Sequence, residues 1–130
     1  MISVGIDYSI SCPCVCINHG KNKLDFFYII DKKKYIGITK INDMTFEGIE
    51  YPLFKNSMNR YNSLANLLIS KLNLYNVTDN VGIEGYSFAS KNSMIFDIAE
   101  NTGVFKNKLY SNGIEFIAYS PSEIKKYASR

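Results

Sequence analysis

Two acids close short apolar runs in this chain, and their type and placement could do chemistry. Asp7 follows Val4-Gly-Ile6, and Glu84 follows Val81-Gly-Ile83. A charge at the end of a buried strand is costly unless it is paired or bound to a metal. Strand ends at one edge of an α/β sheet are also where ligands collect. If the two strands are neighbours, the carboxylates face each other, and like charges that close either share a proton or hold a cation. Carboxylate oxygens with no supporting histidine or cysteine favour Mg²⁺ or Mn²⁺ over zinc. The plainer role, an acid that caps a helix or pairs with a lysine, is at least as well supported by residue type alone.

A second group of candidate ligands, Cys12, Cys14 and Cys16, carries less. Alternate residues of a strand lie about 7 Å apart on one face, too far to converge on one zinc ion. The single histidine, His19, follows the same strand and supplies no credible fourth ligand. The expectation is three reduced thiols buried against one face of a strand.

These residues need a scaffold, and 130 residues are enough for one domain with a real core. A hydrophobic fraction of 46% points to a globular chain rather than a disordered one. A formal charge of +3 permits a nucleic-acid partner without arguing for one. No apolar run approaches the roughly 20 residues of a membrane span. The sequence opens directly on a strand pattern, without a basic leader, so a soluble cytoplasmic protein is expected.

The patterning predicts strands over 2–8, 13–18 and 24–30, close enough together for an antiparallel meander. Residues 31–56, with the basic run Lys32–Lys34, show no clear period and read as a long irregular connection. Tyr61, Leu64, Leu67, Leu68 and Leu72 recur at helical spacing and predict a helix over 57–74, capped by Asn56 or Ser57. A strand over 80–85, a helix over 93–110 and a strand over 114–118 follow. Pro121, with Ser120 as cap, opens a last helix through Lys125. The order β-β-β-α-β-α-β-α implies an α/β fold with a mixed sheet flanked by helices. The 93–110 helix carries Ile95, Ile98, Thr102 and Phe105 on one stripe, with Met94, Phe96 and Val104 off it. That surplus predicts either a partner helix in a two-fold dimer or cover from the 31–56 segment.

In order and spacing, the motifs resemble the RuvC-type Holliday-junction resolvases of the RNase H-like superfamily, particularly their phage and viral branch. The residues that carry the resemblance are Val4-Gly-Ile-Asp7-Tyr-Ser9 with Cys12-Pro13, then Val81-Gly-Ile-Glu84-Gly-Tyr-Ser-Phe88-Ala-Ser-Lys91-Asn92. It continues through Ile98-Ala-Glu-Asn-Thr-Gly-Val104 and Tyr119-Ser-Pro-Ser-Glu-Ile-Lys125-Lys126. The resemblance implies a five-stranded RNase H-like sheet in a single nuclease domain, with Asp7 and Glu84 as catalytic, metal-binding acids. It implies Mg²⁺ or Mn²⁺ as cofactor, hydrolysis of DNA phosphodiesters by two ions, and a homodimer on a four-way junction. The loop after Glu84 would enter the junction, with Tyr86 or Phe88 stacking on a base and Lys91 on a phosphate. Phe88 is equally well read as a core side chain. Lys125, Lys126 and the Lys32–Lys34 run would complete the basic surface, although on composition alone Lys32–Lys34 reads better as a solvated strand end.

The resemblance has one departure. The family takes its remaining acids from a C-terminal helix, and this sequence stops at Arg130 before reaching the turn that precedes them. The expectation is a domain truncated at its C-terminus, binding branched DNA but cutting it less well than a chain extended past Arg130. The competing expectation is a non-catalytic DNA-binding or virion-associated module with the same fold.

Overall fold

The computed structural model describes residues 1–85 and 94–123. Tyr86, Phe88, Lys91, Lys125 and Lys126 lie outside the described residues, as does the expected run of the last helix from 124 onward. The described elements are β1 (Ser3–Asp7), β2 (Cys14–Asn18), β3 (Leu24–Ile30), β4 (Gly37–Ile41), β5 (Met44–Glu50), α1 (Ser57–Leu74), β6 (Val81–Glu84), α2 (Ile95–Ser111) and β7 (Phe116–Tyr119). They form one mixed sheet of seven strands in the order β4-β5-β3-β2-β1-β6-β7.

The meander is present, with β1–β2 and β2–β3 antiparallel. β6 pairs with β1 in parallel, and β7 pairs with β6 in parallel. These five strands are the sheet that the sequence implies. The other two correct the expectation for 31–56. That segment is not irregular: after a 3₁₀ turn over Lys33–Tyr35, it folds into the antiparallel pair β4–β5, with β5 parallel to β3. All five residues of β4 are exposed, so no alternation of apolar and polar residues marks it. The hairpin turns at Asn42, whose φ of 55° suits asparagine. Gly48 is required on β5, because a Cβ there would collide with the backbone carbonyl of Tyr35.

Both helices pack on one face of the sheet. Val4, Ile6, Val15, Ile17, Phe27, Ile29 and Ile83 point to that face and meet Leu64, Leu68 and Leu72 of α1 and Phe105 and Leu109 of α2. α1 matches its expected span and is capped by Asn56, whose side chain accepts from the Asn59 amide at 2.8 Å. Residues 121–123 are helical. Ser120 caps them reciprocally: its amide donates to Glu123 Oε2 at 2.7 Å, and its Oγ accepts from the Glu123 amide at 3.2 Å.

The thiols need a correction. Val15 and Ile17, not the cysteines, are the buried residues of β2. Cys14 and Cys16 alternate with them onto the opposite face and are only half-buried, and Cys12 precedes the strand. The helices chose the face, and alternation did the rest. No helix among the described residues is long and apolar enough to cross a membrane.

Candidate active site

The register of β1 on β6 brings the two acids together. Val4, Gly5 and Ile6 lie beside Val81, Gly82 and Ile83. One further step along both strands puts Asp7 beside Glu84, at the C-terminal ends of neighbouring parallel strands. Because Val4, Ile6, Val81 and Ile83 face the helices, Gly5, Asp7, Gly82 and Glu84 face the other way. Asp7 is exposed and Glu84 half-buried. Their supports are firm. Tyr8, next to Asp7, is buried and stacks on Phe105 with ring centres 4.1 Å apart. The Gly85 amide donates to the Tyr119 carbonyl at 2.6 Å, tying the exit of β6 to β7.

Each acid borders two depressions. One, of about 410 Å³, runs along the open face of the sheet, between Cys14 and Cys16 on one side and Tyr119 on the other. Its floor is low because Gly5 and Gly82 stand in register and neither projects a side chain. Burial, with help from Cys12, Cys16 and Asp7, pushes the Cys14 thiol up to about 11. It therefore stays protonated beside Asp7 at neutral pH. The second depression, of about 420 Å³, lies past the strand ends and is lined by Ser9, Ser11, Arg60, Thr102 and Pro121 as well as the acids. Ser9 also holds the turn after β1, its Oγ accepting from the Cys12 amide at 3.0 Å. A larger cavity of about 740 Å³ lies at the other end of the strands, around Ser3, Asn80 and Glu115, and includes neither acid.

Two carboxylates side by side, with no cationic partner within 4 Å among the described residues, fit a divalent ion held by oxygen. No third His, Cys, Asp or Glu joins them among the described residues. Asp97 and Glu100 of α2 do not line either depression. Asp97 instead accepts a long hydrogen bond from Tyr61, at 3.5 Å.

Lys32–Lys34 follow the C-terminal end of β3, which points the same way as β1 and β6, so the topology puts the basic run at the acids' end of the sheet. The sequence reading missed Arg60. The available signal was its rarity, since the chain has only two arginines among 15 basic residues. What brings Arg60 to the acids is its place in the first turn of α1, which starts where β5 ends.

No family profile matches the chain, and no curated protein sequence matches it. Solved structures do. Thermus thermophilus RuvC in complex with Holliday junction substrate superposes with a TM-score of 0.65 at 13% identity, over 97% of this chain and 68% of that one. A second T. thermophilus RuvC structure gives 0.58 at 15% identity, over 93% of this chain and 64% of that one. The chain thus spans about two-thirds of the length of these proteins. With five contiguous strands in the order β3-β2-β1-β6-β7 and both crossover helices on one face, the chain has a RuvC-like, RNase H-like fold.

Proposed function

We propose that the chain is the nuclease domain of a structure-selective endodeoxyribonuclease that acts on Holliday junctions or related branched DNA. The observation that carries this reading is that Asp7 and Glu84 border the same two depressions at the ends of neighbouring parallel strands, in a fold shared with a RuvC bound to junction DNA. Asp7 and Glu84 would hold Mg²⁺ or Mn²⁺. Such ions, when bound, activate a water and steady the leaving oxygen of a phosphodiester. The chain's own residues do the rest. The carboxylates fix the position of the ions, Tyr8 and the Gly85–Tyr119 bond keep the carboxylates side by side, and the lysines at this end of the sheet draw in the phosphate backbone. Tyr86, Phe88 and Lys91 are proposed for the junction-facing loop, and Lys125 and Lys126 for the backbone.

The test is cleavage of a synthetic four-way junction with Mg²⁺ or Mn²⁺ by the wild type and by Asp7→Asn. The variant should lose cutting while binding the junction within a few-fold of the wild type. Cutting by Asp7→Asn at the wild-type rate would show the site to be elsewhere. One observation favours a second reading, a non-catalytic DNA-binding module: only two acids come together among the described residues. A wild-type chain that binds the junction but leaves it intact with both ions would decide for that module.

A further inference from the structure

Arg60 is built into the wall of the acid-lined cavity. Its Nε donates to the Tyr51 hydroxyl at 2.7 Å, and that hydroxyl donates to the Ile10 carbonyl at 2.7 Å. The guanidinium carbon lies 4.9 Å from the centre of the Phe54 ring and 5.5 Å from that of Tyr51. Three separate segments therefore fix one side chain: the loop after β1, the segment after β5, and α1 itself. The anchoring uses Nε and the faces of the guanidinium. It leaves the two terminal nitrogens, with four N–H donors, uncommitted to any carboxylate among the described residues.

Arg60, Asp7 and Glu84 line the same cavity, yet Arg60 comes within 4 Å of neither acid, so the space between them is not closed by an ion pair. A planar fork with free donors, held apart from a pair of carboxylates, matches the two non-bridging oxygens of a phosphodiester. A purely structural arginine, whose task was to tie the 51–54 segment to α1, would need only Nε and the ring contacts.

We propose that Arg60 grips the DNA phosphate presented to Asp7 and Glu84, and that Tyr51 and Phe54 pre-set its orientation. This rests on the function proposed above and assigns the site a phosphate clamp from outside the acid strands. Arg60 balances the charge of a phosphate that the two carboxylates alone would repel. Its fixed geometry spares the entropy of ordering a long side chain on binding.

The experiment measures binding of a four-way junction, with Ca²⁺ in place of Mg²⁺, against salt concentration for the wild type, Arg60→Gln and Arg60→Lys. A denaturation midpoint is taken for each. Removing one phosphate contact should lower the slope of log K against log[salt] by about one unit. Arg60→Gln should bind about tenfold more weakly, and Arg60→Lys should restore the slope but only part of the affinity. With Mg²⁺, Arg60→Gln should cut more slowly than its weaker binding explains. Calorimetric titration of the free proteins with Mn²⁺ should show binding to Arg60→Gln at least as tight as to wild type, because a nearby positive charge has gone. If the slopes of wild type and both variants coincide while wild type binds the junction, the clamp is refuted and the proposed function survives. If wild type fails to bind the junction, both fall. If Arg60→Gln and Arg60→Lys lose stability equally and Arg60→Lys recovers none of the slope, Arg60 is a structural tie only.

Discussion

At the residue scale, the same carboxylate chemistry is used in two ways at opposite ends of one sheet. Asp7 and Glu84 stand together with no cation paired to them. Asp25 on β3 is instead fully engaged: His19 Nε2 lies 2.8 Å from its Oδ2, and the Tyr75 hydroxyl donates to the same oxygen at 2.9 Å. Burial alone would raise the Asp25 carboxyl, but the hydrogen bonds from His19 and Tyr75, together with the positive charge nearby at His19 and Lys23, outweigh it and hold the group below its ordinary value of 3.8. A depressed value in the folded state means that the unfolded chain binds the proton more tightly. The stabilisation is therefore complete above the ordinary carboxylate value and is lost as the pH falls from there through the depressed one. Urea midpoints taken between about pH 6 and pH 2 should fall more steeply for the wild type than for Asp25→Asn, with the curves converging at the acid end. Parallel curves would mean that the latch adds nothing. The raised Tyr75 hydroxyl, pushed to about 12 by burial and by Asp25, keeps its proton across this whole range.

At the element scale, α2 shows how a helix serves both core and site. Phe105 and Leu109 are fully buried, and Thr102 turns toward the acid-lined cavity. One residue before Thr102 sits Asn101, which is fully buried, with neither its amide nitrogen nor its oxygen hydrogen-bonded among the described residues. A buried, unsatisfied amide costs about 1–3 kcal/mol, so Asn101→Leu should raise the unfolding free energy, read from urea denaturation, by about that much. A drop instead would show that the amide is satisfied within the folded protein. The start of α2 behaves differently. Ile95 and Phe96 are exposed, Phe96 by 74%, and the 31–56 segment does not cover them: its strands lie at the opposite edge of the sheet from β6 and β7.

For the whole molecule, that exposed turn bears on assembly. A two-fold junction offers two equivalent strands, and a dimer would set two copies of the Asp7–Glu84 pair against them. We propose that the apolar start of α2 is the contact between copies, isologous about a two-fold axis. Phe96→Glu should then shift sedimentation at micromolar concentration from dimer to monomer while the far-ultraviolet circular dichroism is unchanged. A wild-type chain that already sediments as a monomer at high micromolar concentration removes the proposal. Charge also acts at this scale. A net +3 is modest, but Lys32–Lys34, Lys55 and Arg60 all gather at the end of the sheet that holds the acids, so the proposed junction binding should be salt-sensitive beyond what the net charge suggests.

The sequence by itself determined the elements whose signal is local. The 18-residue α1 and a cap at Asn56 or Ser57, the span of β3, and the two Val-Gly-Ile-acid runs follow from periodicity, capping chemistry and β-propensity within a few residues. So does the acid at the end of each run. Other features were decided only by long-range packing. That Asp7 and Glu84 meet depends on the parallel register of β1 on β6, which no local pattern encodes and which a slip of one residue would undo. Which face of β2 is buried was set by the helices crossing on the side of Val15 and Ile17, and this put the cysteines on the open face. The edge strand β4 escaped detection because a strand exposed along its whole length has no apolar face to alternate. Arg60 could not be placed at the site from sequence, since it lies on neither acid strand. It reaches the acid-lined cavity only because α1 begins at the end of the sheet where β1 and β6 finish.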